Sequence, residues 1–416
     1  MEQPGHIHPL DPRQLAIDDL TYALPEDRIA QHPLAERDGA RLLVFRDGGI
    51  RDRLFKDLPQ ELPPDTLLVL NDTKVVHARI RFRRATGALI ECMVLSPEKG
   101  HPMELALRDR ESTRWWCMVG NAKRWKGEEL LVEGEGQRLR MARLDQQDGE
   151  HLIEFRWEGG STFLDELDRF GTVPLPPYMR RAAEAEDDRR YNTVFGEHPG
   201  SVAAPTASLH FTPGLLEAMA HRGLRSTRVT LHVGAGTFLP VKSPTMEGHH
   251  MHSEQVRIPR RAVEQLLGQA GRGPIVPVGT TAVRTIESLY WFGADRVLGF
   301  AAHQLAVEQW RPYAGGPEVP VVQALQAVLD LMDREAVDEV AGTTRLLIAP
   351  GYRFRLCSGL VTNFHQPRST LLLLVAALIG PAWRDVYDHA LQNGYRFLSY
   401  GDGSLLWGSH APRHTA

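Results

Sequence analysis

The chain has 416 residues and is 42% hydrophobic and 24% charged, with a formal net charge of −4. This length exceeds one ordinary domain of ~100–200 residues, and the apolar share excludes a largely disordered chain. The charge excludes a polycation, so a nucleic-acid partner would require a local basic patch.

The N-terminus, MEQPGHIHPLDPRQL, lacks the basic and then apolar run of a signal peptide. The longest apolar run, from Leu371 to Ile379, is shorter than the ~20 residues that span a bilayer, which favours a buried helix. The three cysteines include no CxxC pair, which argues against a disulfide framework or a thiolate zinc site. We therefore expect a cytoplasmic protein without a membrane segment.

Periodicity along the chain predicts two kinds of structure. LVLNDT contains a buried strand over Leu67–Leu70, and short alternating runs from about Val75 to Phe155 predict an all-β segment. After GTVPLPPYM, strand-like VTLHVG and PIVPVG alternate with helical stretches, which indicates an α/β layer. We predict a layered mixed α/β domain (1–74 and 157–416) with an inserted small all-β barrel domain (75–156). The segment 301–340, with two amphipathic helix patterns before the strand-like RLLIAP, is predicted to be a further insertion.

Polar residues follow many of these strands. In open α/β sheets, ligands bind beyond the carboxyl ends of strands, so these strand tips predict one shared cleft. The sequence contains neither a complete dinucleotide fingerprint nor a P-loop. The candidate binding residues are Asn71, Asp72, Thr73, Thr206, His232, Gly234, Gly236, Thr237, Gly279, Thr280, Thr281, Arg284, Glu287, Thr362, Asn363 and Ser369.

For several of these strand-end residues, a purely structural role is the alternative to ligand binding. Gly234–Thr237 could let a ligand approach the backbone or form a tight turn that needs positive φ. In GTTAVRTIESL, Thr280 or Thr281 is a good N-cap, and the free N–H groups of the helix start suit a carboxylate or a phosphate. The alternative is a plain cap, with Arg284 and Glu287 forming a surface ion pair. Ser369 or Thr370 caps the next helix, STLLLLVAAL.

Acid–base chemistry has several candidates. His210, His232 and His365 each follow a strand-like run, and Asp402 lies in the glycine-flanked turn SYGDGS. A satisfied structural histidine and an aspartate turn are the alternatives. HHMHSE has metal-like spacing but no second cluster, so we expect a polar loop and no metal.

Two basic segments could contact RNA. Period-2 geometry in ARIRFRR places Arg79, Arg81 and Arg83 on one strand face. STRWWCMVGNAKRWKG interleaves cations with tryptophans that could stack on bases, although a half-buried sheet explains the tryptophans equally well.

Taken in order, the motifs resemble one family, the S-adenosylmethionine:tRNA ribosyltransferase-isomerases, from about Tyr22 to Leu406. The matching segments are YALPEDRIAQHPLAERDGARLLV, LVLNDTKVVHARI, VPLPPYMRR, YNTVFG, GSVAAPTASLHFT, TLHVGAGTFLPV, MHSE, VGTTAVRTIES, TNFHQPRSTLLLLV and YRFLSYGD.

The resemblance implies a cytosolic, usually monomeric enzyme whose α/β domain carries an inserted β-barrel. It implies S-adenosylmethionine as a consumed substrate rather than a cofactor, and tRNA as the partner. The ribosyl part would go to 7-aminomethyl-7-deazaguanine at the wobble position, giving epoxyqueuosine-tRNA, adenine and methionine.

Some residues depart from the family pattern. They are Gln366 for Leu, Ser208 for Gly, Asn192 and Phe195 for Gln and Tyr, Gly403-Ser404 for Ala-Met, and the 301–340 segment. Because Gln366 lies inside an expected site, a divergent paralogue with a non-tRNA acceptor stays open, as does a non-catalytic RNA-binding protein.

A sulfonium acidifies the protons of the neighbouring ribose 5′ carbon, so the implied reaction needs a base there. The residues expected to carry the catalysis are Asp402, His365 and His210, with Glu287 and His232 as further candidate bases. The Thr280/Thr281 helix start could hold the methionyl carboxylate, and Asn71 or Asp72 the ribose hydroxyls or the amino group. The implied chemistry requires no metal or redox cofactor. Asp402→Asn is expected to lower turnover if Asp402 transfers a proton.

Overall fold

The computed structural model describes residues 11–99, 101–234, 236, 241–300 and 303–408. They form two compact units. The first unit comprises Met1–Asn71, Thr206–Leu231 and Leu239–Ala416, and the second comprises Asp72–Pro205 and His232–Phe238. The second unit thus extends beyond the predicted insertion of 75–156, whose boundaries stay a prediction.

The strands are, in chain order, β1 (Arg41–Arg46), β2 (Gly49–Leu54), β3 (Leu67–Asn71), β4 (Thr73–Val75), β5 (Arg79–Arg83), β6 (Leu89–Pro97), β7 (Ser112–Gly120), β8 (Leu130–Gly134), β9 (Gln137–Gln147), β10 (Glu150–Trp157), β11 (Gly171–Thr172), β12 (His198–Ser201), β13 (Arg225–Leu231), β14 (Glu254–Pro259), β15 (Ile275–Pro277), β16 (Leu305–Val307), β17 (Glu339–Thr344), β18 (Gly359–Asn363) and β19 (Gly403–Trp407).

The α-helices are α1 (Leu58–Glu61), α2 (Met103–Arg108), α3 (Phe163–Phe170), α4 (Ala185–Arg190), α5 (Pro213–His221), α6 (Arg260–Gln269), α7 (Thr280–Val297), α8 (Val321–Glu335), α9 (Thr370–Ile379) and α10 (Trp383–Gln392). Short 3₁₀ turns connect many of these elements, including Thr206–His210.

The first unit contains two sheets. One has six strands in the order β15-β3-β13-β14-β17-β16, and the other has four in the order β18-β19-β1-β2. In the larger sheet β15, β3 and β13 are parallel, whereas β14 is antiparallel to both β13 and β17. A parallel bridge between Val278 and Val361 joins the end of β15 to β18. The predicted mixed α/β class is confirmed.

Burial explains why the central elements of this unit have such apolar sequences. All five residues of β3 are buried, as expected of a parallel strand covered on both faces. Every residue of α7 from Thr280 to Ala294 is also buried, which is the pattern of a core helix. The core of the first unit therefore forms around β3 and α7.

The second unit is built on one antiparallel sheet of seven strands, in the order β11-β5-β6-β7-β10-β9-β8. Alternate side chains of each strand point to opposite faces of this sheet. In β5, Ile80 and Phe82 are buried in the core, while Arg81 and Arg83 are exposed. A separate pair, β4 and β12, is parallel. The segment is rich in strands as predicted, but α2 lies between β6 and β7, and the inserted all-β barrel stays a prediction.

Two local predictions need correction. In the described part of 301–340, the segment has one α-helix, α8, and contributes β16 and the start of β17 to the six-stranded sheet. The predicted strand RLLIAP is buried coil, because the ladder partner of β14 is β17, just upstream. The apolar periodicity identified buried residues correctly but not their hydrogen-bond partners.

The longest apolar run forms α9, as predicted, and Leu372–Val375 are buried. The helical stretch from Thr370 to Gln392 is long and apolar enough to cross a bilayer by length and composition alone. However, 56% of that apolar window is buried, as in the core helices of soluble proteins.

Candidate active site

Three strands of the first unit end side by side. β15 is parallel to β3, and the Val278–Val361 bridge makes it parallel to β18 as well. Their carboxyl ends therefore lie at one edge, where open α/β sheets bind ligands. Predicted residues that meet at this edge are called the strand-end cluster: Asn71, Thr206, His210, Gly279, Thr281 and Asn363.

Asn71 ends β3 and is fully buried. Its Nδ2 donates to the Leu231 carbonyl at 3.0 Å and to Thr281 Oγ1 at 3.2 Å, and its Oδ1 accepts from the Leu231 N–H at 3.0 Å. The carboxamide thus connects the ends of β3 and β13 with the first turn of α7. Its predicted contact with a ribose or amino group stays a prediction.

Asn363, at the end of β18, connects two other predicted residues. Its Oδ1 accepts from the Thr206 hydroxyl at 2.9 Å. In this orientation its Nδ2 lies 3.3 Å from His210 Nε2. A hydrogen bond at this contact requires His210 Nε2 to be the unprotonated acceptor.

The electrostatic environment of His210 favours a neutral ring. The ring is buried and packs against Phe55, with 4.7 Å between ring centroids. Burial lowers its pKa from 6.5 to about 4, and the positive charges of Arg396 and Arg37 act in the same direction. His210 is therefore neutral at physiological pH and can accept a proton at Nε2.

His365 lies just after β18 in a separate hydrogen-bonded group. Its Nε2 and the Thr362 hydroxyl are 2.9 Å apart, and its backbone N–H donates to the Tyr387 hydroxyl at 3.0 Å. The Tyr22 hydroxyl donates to the His365 carbonyl. Burial lowers the His365 pKa to about 3, so this ring is also neutral.

The start of α7 differs from the prediction in its cap. The N-cap residue is Gly279, with φ of 90°, and no side chain caps the helix. Positive φ explains the glycine, and a Cβ there would lie 3.9 Å from Ala207 Cβ, in ordinary contact. Thr280 and Thr281 occupy the first turn instead of the cap position.

Arg284 and Glu287 do not pair with each other, so the surface ion pair considered above is wrong. Both side chains are buried, and Arg284 pairs with Glu254. Glu287 accepts from the Tyr352 hydroxyl at 2.7 Å and from the N–H groups of Leu356 and Cys357 at 2.9 and 3.0 Å. Burial raises the pKa of Glu287, although these hydrogen bonds oppose the shift. Its carboxylate holds the loop before β18.

Asp402 and Ser369 both have structural partners. The two Asp402 carboxylate oxygens accept from the N–H groups of Arg41 at 2.9 Å and Arg396 at 2.8 Å. These contacts favour a structural role, while the catalytic role stays a prediction. Ser369 Oγ accepts from the Leu372 N–H at 3.2 Å, so Ser369 is the N-cap of α9.

Within the second unit, His232 has an unusual environment. Its Nδ1 lies 2.9 Å from the Thr73 hydroxyl, but its buried Nε2 has no hydrogen-bond partner among the described residues. Burial lowers its pKa to about 4. Gly200 packs closely on the ring: a Cβ there would lie 2.9 Å from His232 Cε1.

The remaining candidates of the second unit have differing environments. Asp72 lies near Glu197 and His198, with potential ligand atoms within 4.8 Å of one another, a grouping that the sequence analysis missed. Gly234 is half-buried without positive φ, so the tight-turn alternative is wrong at this position. Gly236 is half-buried, and Thr237 lies outside the described residues.

The arginines of β5 share one face as predicted. Arg81 and Arg83 are exposed, whereas Arg79 is half-buried. Arg79 and Arg81 both pair with Glu91, at 3.5 and 3.2 Å, so one carboxylate offsets two cations. Arg83 has no ion pair among the described residues and borders a cavity of about 480 Å³. We call Arg79, Arg81 and Arg83 the arginine stripe.

The tryptophans fit the structural alternative better than base stacking. Trp115 and Trp125 are buried, and Trp116 is half-buried. Trp125 Nε1 donates to the Glu128 carbonyl at 2.7 Å. The indoles of Trp115 and Trp125 therefore belong to the core of the second unit.

Sequence reasoning missed residues that support the candidates. Phe55 packs on His210, Arg37 donates to the Leu209 carbonyl at 3.0 Å, and Glu254 holds Arg284. Arg37 and Glu254 lie within the motifs AERDGARLLV and MHSE, which was the available signal. Phe55 had none, since a lone aromatic residue predicts only burial.

Comparisons with known proteins match nearly the whole chain. A family model described as queuosine biosynthesis protein matches residues 17–406. A protein of Azoarcus sp. (strain BH72) is 39% identical over 94% of this chain and 97% of its own length. A protein of Anaeromyxobacter sp. (strain Fw109-5) is 40% identical over 94% of this chain and 99% of its own length. Both are named S-adenosylmethionine:tRNA ribosyltransferase-isomerase.

A crystal structure of an S-adenosylmethionine tRNA ribosyltransferase from Thermotoga maritima is 29% identical. It covers 93% of this chain and 99% of its own, with a TM-score of 0.45.

Proposed function

We propose that this chain, which belongs to the queuosine biosynthesis protein family, is an S-adenosylmethionine:tRNA ribosyltransferase-isomerase. The observation that carries the proposal is near full-length identity of 39–40% to relatives with that name. The polar residues at the carboxyl edge of the first unit's sheet support it, because small ligands bind at such edges in open α/β sheets.

The proposed reaction moves the ribosyl part of S-adenosylmethionine to the aminomethyl group of 7-aminomethyl-7-deazaguanine at the tRNA wobble position. Removal of a proton from the 5′ carbon, which the sulfonium acidifies, starts ring opening and releases adenine. The amine then attacks, methionine leaves, and epoxyqueuosine-tRNA forms. These steps require neither a metal nor a redox cofactor, because the sulfonium itself activates the carbon.

We assign S-adenosylmethionine to the strand-end cluster and the proton transfer to His210. Its ring is neutral, and among the described residues its Nε2 has one hydrogen-bond contact, a long one of 3.3 Å with Asn363. By contrast, both carboxylate oxygens of Asp402 and of Glu287 already accept hydrogen bonds. His365 Nε2 has a closer partner in Thr362.

For the second unit we propose contacts with substrate. The arginine stripe suits phosphates, and the unpartnered Nε2 of His232 suits a polar group of a substrate. We further propose that the seven-stranded sheet forms the inserted β-barrel domain. The protein would act in the cytoplasm as a monomer, without a membrane segment.

Incubation of the protein with S-adenosylmethionine and tRNA carrying the deazaguanine tests this function. Epoxyqueuosine in the digested tRNA, together with tRNA-dependent release of adenine, is the expected result. Adenine release that needs no RNA would instead indicate a paralogue with another acceptor. Two departures from the family pattern are relevant: Gln366 is half-buried, and Ser208 has a buried hydroxyl without a partner in the part of the chain that the structure describes.

A further inference from the structure

The first turn of α7 has backbone donors without acceptors. Thr280, Thr281 and Ala282 are buried, and none of their N–H groups has an acceptor among the described residues. The first bond of the helix runs from the Val283 N–H to the Gly279 carbonyl at 3.3 Å. Since native proteins pair most buried N–H groups, three adjacent free donors indicate a site for an acceptor.

Arg284 provides a second and independent donor at this place. Its side chain is only 9% exposed, and its Nη2 has no hydrogen-bond partner among the described residues. The other two guanidinium nitrogens are held: Nε donates to the Leu346 carbonyl at 3.1 Å, and Nη1 pairs with Glu254. The guanidinium is therefore fixed, with one nitrogen free to donate.

The helix geometry places Arg284 on the same face as the first of these N–H groups. Arg284 follows Thr280 and Thr281 by four and three residues, so the three share a helix face, and long side chains lean towards the helix N-terminus. Glu254 begins β14, and the pairing of Leu231 with Val256 places it just beyond the end of β13. The Arg284–Glu254 pair and the start of α7 thus lie at the same edge of the sheet.

We propose that the first turn of α7 and Arg284 Nη2 bind the α-carboxylate of the amino-acid part of S-adenosylmethionine. This assignment rests on the proposed function, which makes that molecule the substrate. The charge balance of this place favours a ligand group with a single negative charge. Glu254 offsets the charge of Arg284, and the helix start adds about half a positive charge. A carboxylate fits this balance better than a phosphate dianion does.

The test compares two ligands on two proteins by calorimetric titration. The ligands are S-adenosylmethionine and its decarboxylated analogue. The proteins are wild type and the double variant Arg284→Gln/Glu254→Gln, which removes both charges and so leaves no lone buried charge. Wild type should prefer the carboxylate form by about 10- to 100-fold, as expected for charged hydrogen bonds. The double variant should lose most of this preference.

Arg257→Gln/Glu339→Gln is the matched control, because this pair bridges β14 and β17 at their other end, with 2.8 Å between Nη2 and Oε2. It should keep the full preference. Arg284→Lys, which keeps the charge beside Glu254 but lacks Nη2, replaces the double variant if that protein does not fold. It should raise KM for S-adenosylmethionine about tenfold or more with little change in kcat.

Several results would overturn the assignment while leaving the proposed function intact. They are a wild-type protein that turns over S-adenosylmethionine but binds both ligands equally, an Arg284 variant that keeps the full preference, and displacement of S-adenosylmethionine by inorganic phosphate but not by L-methionine. Absence of any S-adenosylmethionine binding would instead overturn both proposals.

Discussion

Asp402→Asn separates a structural carboxylate from a catalytic one. Asp402 is buried, and its two oxygens accept from the N–H groups of Arg41 and Arg396 at 2.9 and 2.8 Å. In asparagine one oxygen becomes an NH₂ group, so either amide orientation leaves one N–H facing a donor. The substitution thus removes one charge-assisted hydrogen bond and leaves a buried donor unpaired.

Losing such a bond costs ~2–4 kcal/mol of unfolding free energy. Thermal unfolding followed by circular dichroism should show the melting temperature falling by roughly 4–10 °C. The kcat of the folded fraction, measured as adenine release on the same preparation, should change by less than about threefold, because no proton transfer is lost. Asp27→Asn is the control, since this carboxylate is 77% exposed and should tolerate the same change.

A fall in kcat of ~10²–10⁴-fold without a change in melting temperature would refute the structural interpretation. That result would return Asp402 to the role of proton acceptor, as the sequence alone allowed.

His210→Asn, which keeps a polar atom near the Nδ1 position but removes Nε2, should lower the kcat of the folded fraction by ~10²–10⁴-fold. The exposed His221→Asn should leave kcat unchanged, and near-normal kcat in the first variant would exclude His210 as the base. Because burial lowers the folded-state pKa of His365 from 6.5 to about 3, its contribution to stability is complete above pH 6.5 and decreases as the pH falls towards 3. Between pH 7.5 and 5.5, the unfolding free energy from urea titrations should therefore fall by about 1.3 kcal/mol more in wild type than in His365→Gln. Equal falls in the two proteins would contradict the lowered pKa of His365. Arg81→Ala/Arg83→Ala should weaken tRNA binding and reduce the slope of log K against log salt by about two, and an unchanged slope in filter-binding assays would count against the arginine stripe.

The sequence by itself determined the elements that depend on neighbouring residues. The leucine run of β3 predicted a buried strand, and the alternation of ARIRFRR predicted which side chains of β5 face solvent. Ser369 or Thr370 was expected to cap α9, and Ser369 is the N-cap. These predictions succeed because periodicity and capping act over a few residues, where the chain order fixes the geometry.

The motifs also determined which residues to examine, and the tertiary structure decided their partners. Asn71 bonds Leu231, Glu287 holds the loop before β18, and Asp402 bonds the N–H of Arg41, 361 positions earlier in the chain. Arg284 and Glu287 looked like a pair at helical spacing, yet each has a different buried partner. A side chain can make its hydrogen bonds with any segment that folding brings within about 3 Å, and sequence separation does not limit that choice.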